Sequence, residues 1–120
     1  MSVAGMSTTL AFALPILPGR TDLFRGAHLR FAVGRREEFE ASRRRLGVLA
    51  EHGFLQQTPN GDVAVVVFEV EDPARLFAGT ATSTDALDVD FRAYLQETFG
   101  LDVTRPSDPP ESVFRWHARE

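Results

Sequence analysis

Residues 46–71, with the sequence LGVLAEHGFLQQTPNGDVAVVVFEVE, decide the fold. The pair Asn60-Gly61 is a strong hairpin signal, because a type I′ turn needs positive φ at both central residues, which Asn and Gly tolerate best. The run Ala64–Phe68 is apolar and rich in β-branched side chains, as is typical of a strand. The stretch therefore predicts two antiparallel strands joined at Asn60-Gly61.

The turn also predicts the register of the two strands. Pairing outward from it places Phe54 opposite Val67 and His52 opposite Glu69, all on one face. A bulge at Gly53 would move His52 to the other face, and the sequence leaves this open. The face that we expect to pack against helices carries Leu49, Leu55, Val66, Phe68 and Val70.

The second face of the hairpin mixes apolar and polar side chains. An apolar wall with a few polar groups is typical of a ligand pocket, although a solvated or dimer-covered face fits the same pattern. The strand predicted over Thr8–Leu17 has a comparable division, because Leu10, Phe12 and Leu14 alternate with small residues. Small side chains on one face permit the close approach of a helix or a ligand.

Composition limits the class of protein. A chain of 120 residues without cysteine is expected to form one domain without disulfides, thiolate nucleophiles or cysteine metal sites. A net charge of −4 with mixed signs argues against a nucleic-acid partner. No apolar run approaches the roughly 20 residues of a membrane span, so we expect no membrane partner and a cytoplasmic location. We expect residues 1–7 to be disordered and residues 8–118 to form a single domain.

The order of elements predicts the fold class. A long helical crossover from Thr21 to Leu46, bent at Gly34, follows the first strand, and short helices follow Asp72-Pro73 and Ser83-Thr84. Residues 112–118 alternate as a last strand. This order predicts an α+β, ferredoxin-like βαββαβ fold, with a four-stranded antiparallel sheet and helices on one face. Two copies could bury the other, apolar face in a homodimer.

A family resemblance agrees with this prediction. Most of the chain between Thr8 and His117 resembles the dimeric α/β-barrel superfamily, which includes antibiotic-biosynthesis-type monooxygenases and small polyketide cyclases. More narrowly, residues 43–47 (RRRLG), Glu51 and residues 54–62 (FLQQTPNGD) resemble a small bacterial family of unknown function. The resemblance implies a dimeric barrel, and it brings no catalytic residue to a position of this chain.

Six polar residues are the candidates for a site. His52 and Glu69 are the catalytic candidates, because a carboxylate beside an imidazole favours the charged ring or orients one tautomer, as a general base requires. The alternative is a cross-strand ion pair with no catalytic role. Ligand-binding candidates are Gln56, Thr58, Arg115 and His117, and Arg115 could hold an anionic group.

The pattern predicts neither a metal site nor a cofactor, since the three histidines lack metal-binding spacing and no glycine-rich phosphate-binding motif occurs. The leading functional hypothesis is a dimeric protein that binds a small planar organic molecule in a sheet cavity. The alternatives are a small cofactor-free enzyme of monooxygenase, cyclase or isomerase type and a purely structural or accessory homodimer.

Overall fold

The computed structural model describes residues 7–105 and 108–119. It is an α+β structure with one antiparallel sheet of strand order β1-β3-β2. The strands are β1 (Thr8–Pro15), β2 (Val48–Thr58) and β3 (Gly61–Val70). The helices are α1 (Thr21–Ala27), which continues as a π-helical segment (His28–Val33), α2 (Arg36–Leu46), α3 (Pro73–Thr82) and α4 (Ala86–Phe99).

The predicted four-stranded ferredoxin-like sheet is wrong, because residues 112–118 form no strand. The apolar side chains of this segment stay in solvent: Val113, Phe114 and Trp116 are 86, 88 and 75% exposed. Alternation and β-propensity show that a segment would suit a pleated, half-buried surface, but they do not make it pair with the free edge of β1. The sheet therefore ends at β1, without the strand on which the predicted barrel depends. The predicted disorder of residues 1–7 falls, for residues 1–6, outside the described part of the chain.

The hairpin forms as predicted, but its register differs by two residues. Thr58 pairs with Gly61, so Pro59 and Asn60 are the central turn residues. Proline fixes φ near −65°, which suits a first turn position and excludes the positive φ of a type I′ turn. The hydroxyl of Thr58 donates to the Gly61 carbonyl (2.7 Å) and accepts from the Asn60 amide (3.2 Å). Within this turn, Gly61 alone takes a positive φ, of 126°.

A shift of two residues leaves every side chain on its predicted face. Phe54 pairs with Val65 rather than Val67, and His52 pairs with Val67 rather than Glu69. The bulge lies between Val48 and Ala50 and not at Gly53, so His52 keeps the face predicted for it.

The helices cover one face of the sheet, which we call the packed face. There Leu10, Val70, Leu46 of α2 and Leu76 of α3 form a buried core cluster. Phe12 makes an edge contact with Phe77 of α3, and Phe24 of α1 closes over the backbone of Gly53. A second core cluster joins the helices through Phe31, Leu87 and Tyr94. Leu49, which was predicted to pack there, lies in the bulge and is 49% exposed.

The start of α3 and the ends of α2 and α4 follow local sequence signals. Asp72 caps α3 by accepting a hydrogen bond from the Ala74 amide (3.0 Å), and Pro73 is the first helical residue, as predicted. α2 and α4 end at Gly47 and Gly100, both in the left-handed conformation. Within the described chain, none of the helices has the length and apolar character needed to cross a membrane.

Candidate functional site

The second face of the sheet, which we call the open face, is covered by none of the core contacts described above. Its side chains stand in rows across the three strands, because each pairing register brings one residue of β1 and one of β2 beside the same residue of β3. From one end, the four rows are Thr9–Glu69–Ala50, Ala11–Val67–His52, Ala13–Val65–Phe54 and Pro15–Val63–Gln56.

In the two middle rows of the open face, the side chains increase in size across the sheet. β1 contributes alanines, the central strand contributes valines, and β2 contributes the rings of His52 and Phe54. The residues of the outer strands are exposed, whereas the valines of the middle strand are half-buried between them. The result is a predominantly apolar surface, the kind of patch that marks an interaction site when it is contiguous.

His52 and Phe54 are the most distinctive pair on the open face. Their rings stack with centroids 4.3 Å apart and planes inclined by 22°. The stack arises because alternate residues of a strand point to the same side. Half of the Phe54 surface remains exposed, so aromatic surface of the stack is accessible from solvent.

Glu69 is on the same face as His52 but is engaged elsewhere. Its carboxylate accepts hydrogen bonds from the hydroxyls of Ser7 (3.2 Å) and Thr9, at the end of the face next to β1. His52 instead has Val67 as its cross-strand neighbour and Phe54 as its ring partner. The directly opposed His52–Glu69 pair on which the general-base hypothesis depended is therefore not formed.

The ligand-binding candidates are divided between two regions. Gln56 lies in the last row of the open face beside Val63, while the Thr58 hydroxyl is used by the turn. Arg115 and His117 lie in the exposed C-terminal segment, where the guanidinium Nε donates to the imidazole Nε2 over 3.4 Å. Because no strand forms there, these two side chains are not brought into the rows of the open face.

A buried carboxylate is the strongest polar feature that the sequence did not predict. Asp88 of α4 is 4% exposed and accepts hydrogen bonds from Ser42, from Ser83 (2.6 Å) and from Arg45 (2.6 Å). Burial alone would raise the pKa of Asp88, but these donors and the charge of Arg45 together hold the pKa below its ordinary value. These hydrogen bonds connect α2 to the start of α4, so we interpret the cluster as structural.

Arginines at the end of α2 form ion pairs with acids elsewhere in the fold. Arg43 forms a two-point ion pair with Glu51 of β2, at 2.9 and 3.2 Å, and lies over the rings of Phe39 and Phe91. Arg45 contacts Asp85 and Asp88. Arg43 and Arg45 thus form tertiary ion pairs, which the sequence could not reveal because their acidic partners lie outside α2.

Two shallow grooves also occur among the described residues, each of about 370 Å³. One lies between Arg45, Arg75 and the start of α4, where Arg75 donates to the carbonyls of Arg44 and Arg45 and so caps α2. The other follows residues 33–38. Neither groove is lined by His52 or Phe54, and a search of the described ranges finds no group of three metal-binding side chains.

Comparison of the chain with protein-family models, with curated proteins and with solved structures finds no match. The resemblance to the dimeric α/β-barrel superfamily therefore stays a prediction. Any function has to be inferred from the open face itself.

Proposed function

We propose that the protein is a non-catalytic binding module whose open face binds a small planar organic molecule. The observation that carries this proposal is the stacked pair His52 and Phe54, exposed beside a column of half-buried valines. A flat aromatic molecule placed on this surface removes apolar area from water and adds ring-to-ring contacts.

The open face suits binding better than turnover. An acid or base that works on a bound substrate needs a partner that orients it and a site that excludes water. Glu69 is hydrogen-bonded to hydroxyls near β1, and the rings of His52 and Phe54 lie on an exposed strand. Because the open face offers one wall and no enclosure, we expect it to bind its ligand weakly. The cytoplasmic location stays a prediction.

A thermal-shift titration with 2-naphthol, a planar phenol, tests the proposal. A ligand that binds only the folded protein raises its melting temperature in a saturable way. We expect this shift in the unaltered chain and its loss in Phe54→Ala. Leu49→Ala is the matched control, since Leu49 lies on the same strand and is also 49% exposed, but in the bulge and outside the rows. Equal shifts in Phe54→Ala and the unaltered chain would refute the site.

A further inference from the structure

Residues 113–117 (VFRWH), which we call the C-terminal segment, expose two aromatic rings to solvent. Phe114 and Trp116 are each more exposed than any large apolar side chain of the sheet or the helices. The guanidinium of Arg115 donates to the imidazole of His117, so these two alternate side chains lie on one side of the segment. Because successive residues of an extended chain point to opposite sides, we expect the two rings to share the other side.

The connection to the C-terminal segment begins at one end of the open face. The amide of Leu17, two residues beyond β1, donates to the carbonyl of Thr98 near the end of α4 (2.9 Å). A Cβ at Gly100, where α4 has ended, would lie 3.7 Å from the Leu17 side chain. The chain therefore leaves α4 beside the last row of the open face, at Pro15.

The length of the connection suits the distance to the middle of the open face. Residues 101–113 form the connection, and a flexible chain of about 13 residues spans roughly 20 Å on average, which prolines extend further. Ala13 and Ala11 lie four and six residues before Leu17, which corresponds to about 14 and 20 Å along a strand. A group tethered at such a distance has an effective concentration in the millimolar range. A contact too weak to hold separate molecules together at micromolar concentrations therefore suffices within one chain.

The two rings also match the side of the open face where the side chains are smallest. Phe114 and Trp116 are alternate residues, as are Ala11 and Ala13, so each pair is spaced by about 6.8 Å in an extended chain. Rings laid over the exposed alanines of β1 would lie against the larger valines of β3 and remove apolar surface from water. The arginine and the histidine of the segment would then point to solvent, so this arrangement buries no charge.

We infer that the C-terminal segment closes over the open face as an intramolecular lid, with the rings of Phe114 and Trp116 on Ala11 and Ala13. The structure shows the open position of this lid. The regulatory consequence rests on the proposed function, because closure would compete with a planar molecule for the same face, whereas closure itself requires no ligand. The fraction of open molecules then sets the apparent affinity for that molecule.

Fluorescence quenching by acrylamide, a neutral quencher, tests closure directly. Trp116 is the only tryptophan, so its fluorescence reports the position of the segment alone. We expect a smaller quenching constant in the full chain than in a free peptide of residues 111–120, at every protein concentration. Ala13→Arg should raise the quenching constant to that of the peptide. Ala93→Arg, at an exposed alanine on α4, is the matched control and should leave the constant unchanged.

A thermal-shift titration with 2-naphthol tests the regulatory consequence. The double variant Phe114→Ser/Trp116→Ser removes the rings of the lid and leaves the open face unaltered. If the lid is closed in about three-quarters of the molecules, the apparent dissociation constant for 2-naphthol should fall about fourfold in this variant. Circular dichroism of each variant verifies that the fold is retained.

Several results would overturn the inference. Quenching equal to that of the peptide would show that the segment stays in solvent, and protection that survives Ala13→Arg would place it elsewhere on the molecule. Protection that increases with protein concentration would show that another copy supplies the contact. An unchanged affinity for 2-naphthol in the double variant would remove the competition. If Trp116 is protected but no variant binds 2-naphthol, the proposed function fails and the lid remains, so the two failures are distinguishable.

Discussion

At the scale of single residues, burial decides which polar groups matter most for stability. Ser42 lies on the inward side of α2 and is fully buried. The sequence did not reveal its partner, because Asp88 lies 46 residues further along and looks like an ordinary acid in the first turn of a helix. A buried hydroxyl and a buried carboxylate each require a hydrogen bond, and here they satisfy one another.

Acid should weaken the protein through Asp88. A carboxyl group whose pKa is lowered by folding stabilises the native state above its ordinary pKa, about 3.9, and this contribution is lost as the pH falls through the lower native value. We therefore expect Asp88→Asn to be less stable than the unaltered chain near neutral pH, with the difference narrowing below about pH 4.

Urea denaturation near neutral pH and below about pH 4 measures the difference in free energy of unfolding between Asp88→Asn and the unaltered chain. Asp22→Asn, at a 94% exposed side chain, is the control and should change the free energy of unfolding by less than about 0.5 kcal/mol. A gap between Asp88→Asn and the unaltered chain that does not depend on pH would contradict the prediction.

Tyr94 gives a second residue-scale prediction, at alkaline pH. Burial, reinforced by the charge of Glu51, raises the pKa of this phenol to about 12. The group therefore stabilises the native state below its unfolded pKa of about 10, and that stability is lost as the pH rises through about 12.

The composition allows the ionisation of Tyr94 to be followed without interference from other side chains. The chain has one tyrosine and no lysine or cysteine, so Tyr94 is the only side chain that ionises between about pH 9 and pH 12. The near-ultraviolet absorbance of the phenolate should rise with a midpoint near 12 in the folded protein and near 10 in urea. A folded midpoint near 10 would show that Tyr94 is accessible to water.

At the scale of elements, local signals predicted the hairpin and most helix ends, and failed where tertiary pairing decides. α2 ends at Leu46 and α3 begins at Pro73 as predicted, because capping depends on neighbouring residues. The turn was predicted one residue too late, which shifts the register by two, because Asn60-Gly61 was given more weight than the fixed φ of Pro59. The start of α4 was also misplaced, since its cap position is Asp85 rather than Ser83 or Thr84.

The bend between α1 and α2 depends on Gly34, for steric reasons. The amide of Gly34 donates to the Leu29 carbonyl (2.8 Å) at the end of the π-helical segment. A Cβ at Gly34 would lie 2.8 Å from that carbonyl oxygen and 2.9 Å from the oxygen of Arg30. Because both atoms belong to the backbone, we expect Gly34→Ala to lower the free energy of unfolding by about 1–3 kcal/mol.

A neighbouring glycine supplies the control for Gly34→Ala. Gly26 lies inside α1, and a Cβ there would meet nothing within 4 Å. Gly26→Ala should therefore stabilise the protein by about 0.5–1 kcal/mol, through the better helix propensity of alanine. Chemical denaturation of both variants measures the contrast. A Gly34→Ala protein as stable as Gly26→Ala would show that the π-helical segment can relax without cost.

At the scale of the whole molecule, the sequence predicted the faces of the sheet but not its extent. Period-two alternation assigned His52, Phe54 and the alanines of β1 to their faces, and a register error of two residues did not alter this. The prediction of a fourth strand failed because alternation in residues 112–118 does not by itself make this segment pair with a neighbouring strand. The stack of His52 on Phe54 follows from their spacing, whereas the hydrogen bonds of Glu69 to Ser7 and Thr9 depend on how β1 docks.

Substitution of the valine column tests the open face as a whole. Val67 pairs with His52 in the middle of this face, so Val67→Arg places a charge beside the ring stack. We expect this variant to lose most of the thermal shift given by 2-naphthol, because a cation there keeps water on the apolar surface. Circular dichroism of the variant verifies that the fold is retained, and a shift equal to that of the unaltered chain would show that the valine column takes no part in binding.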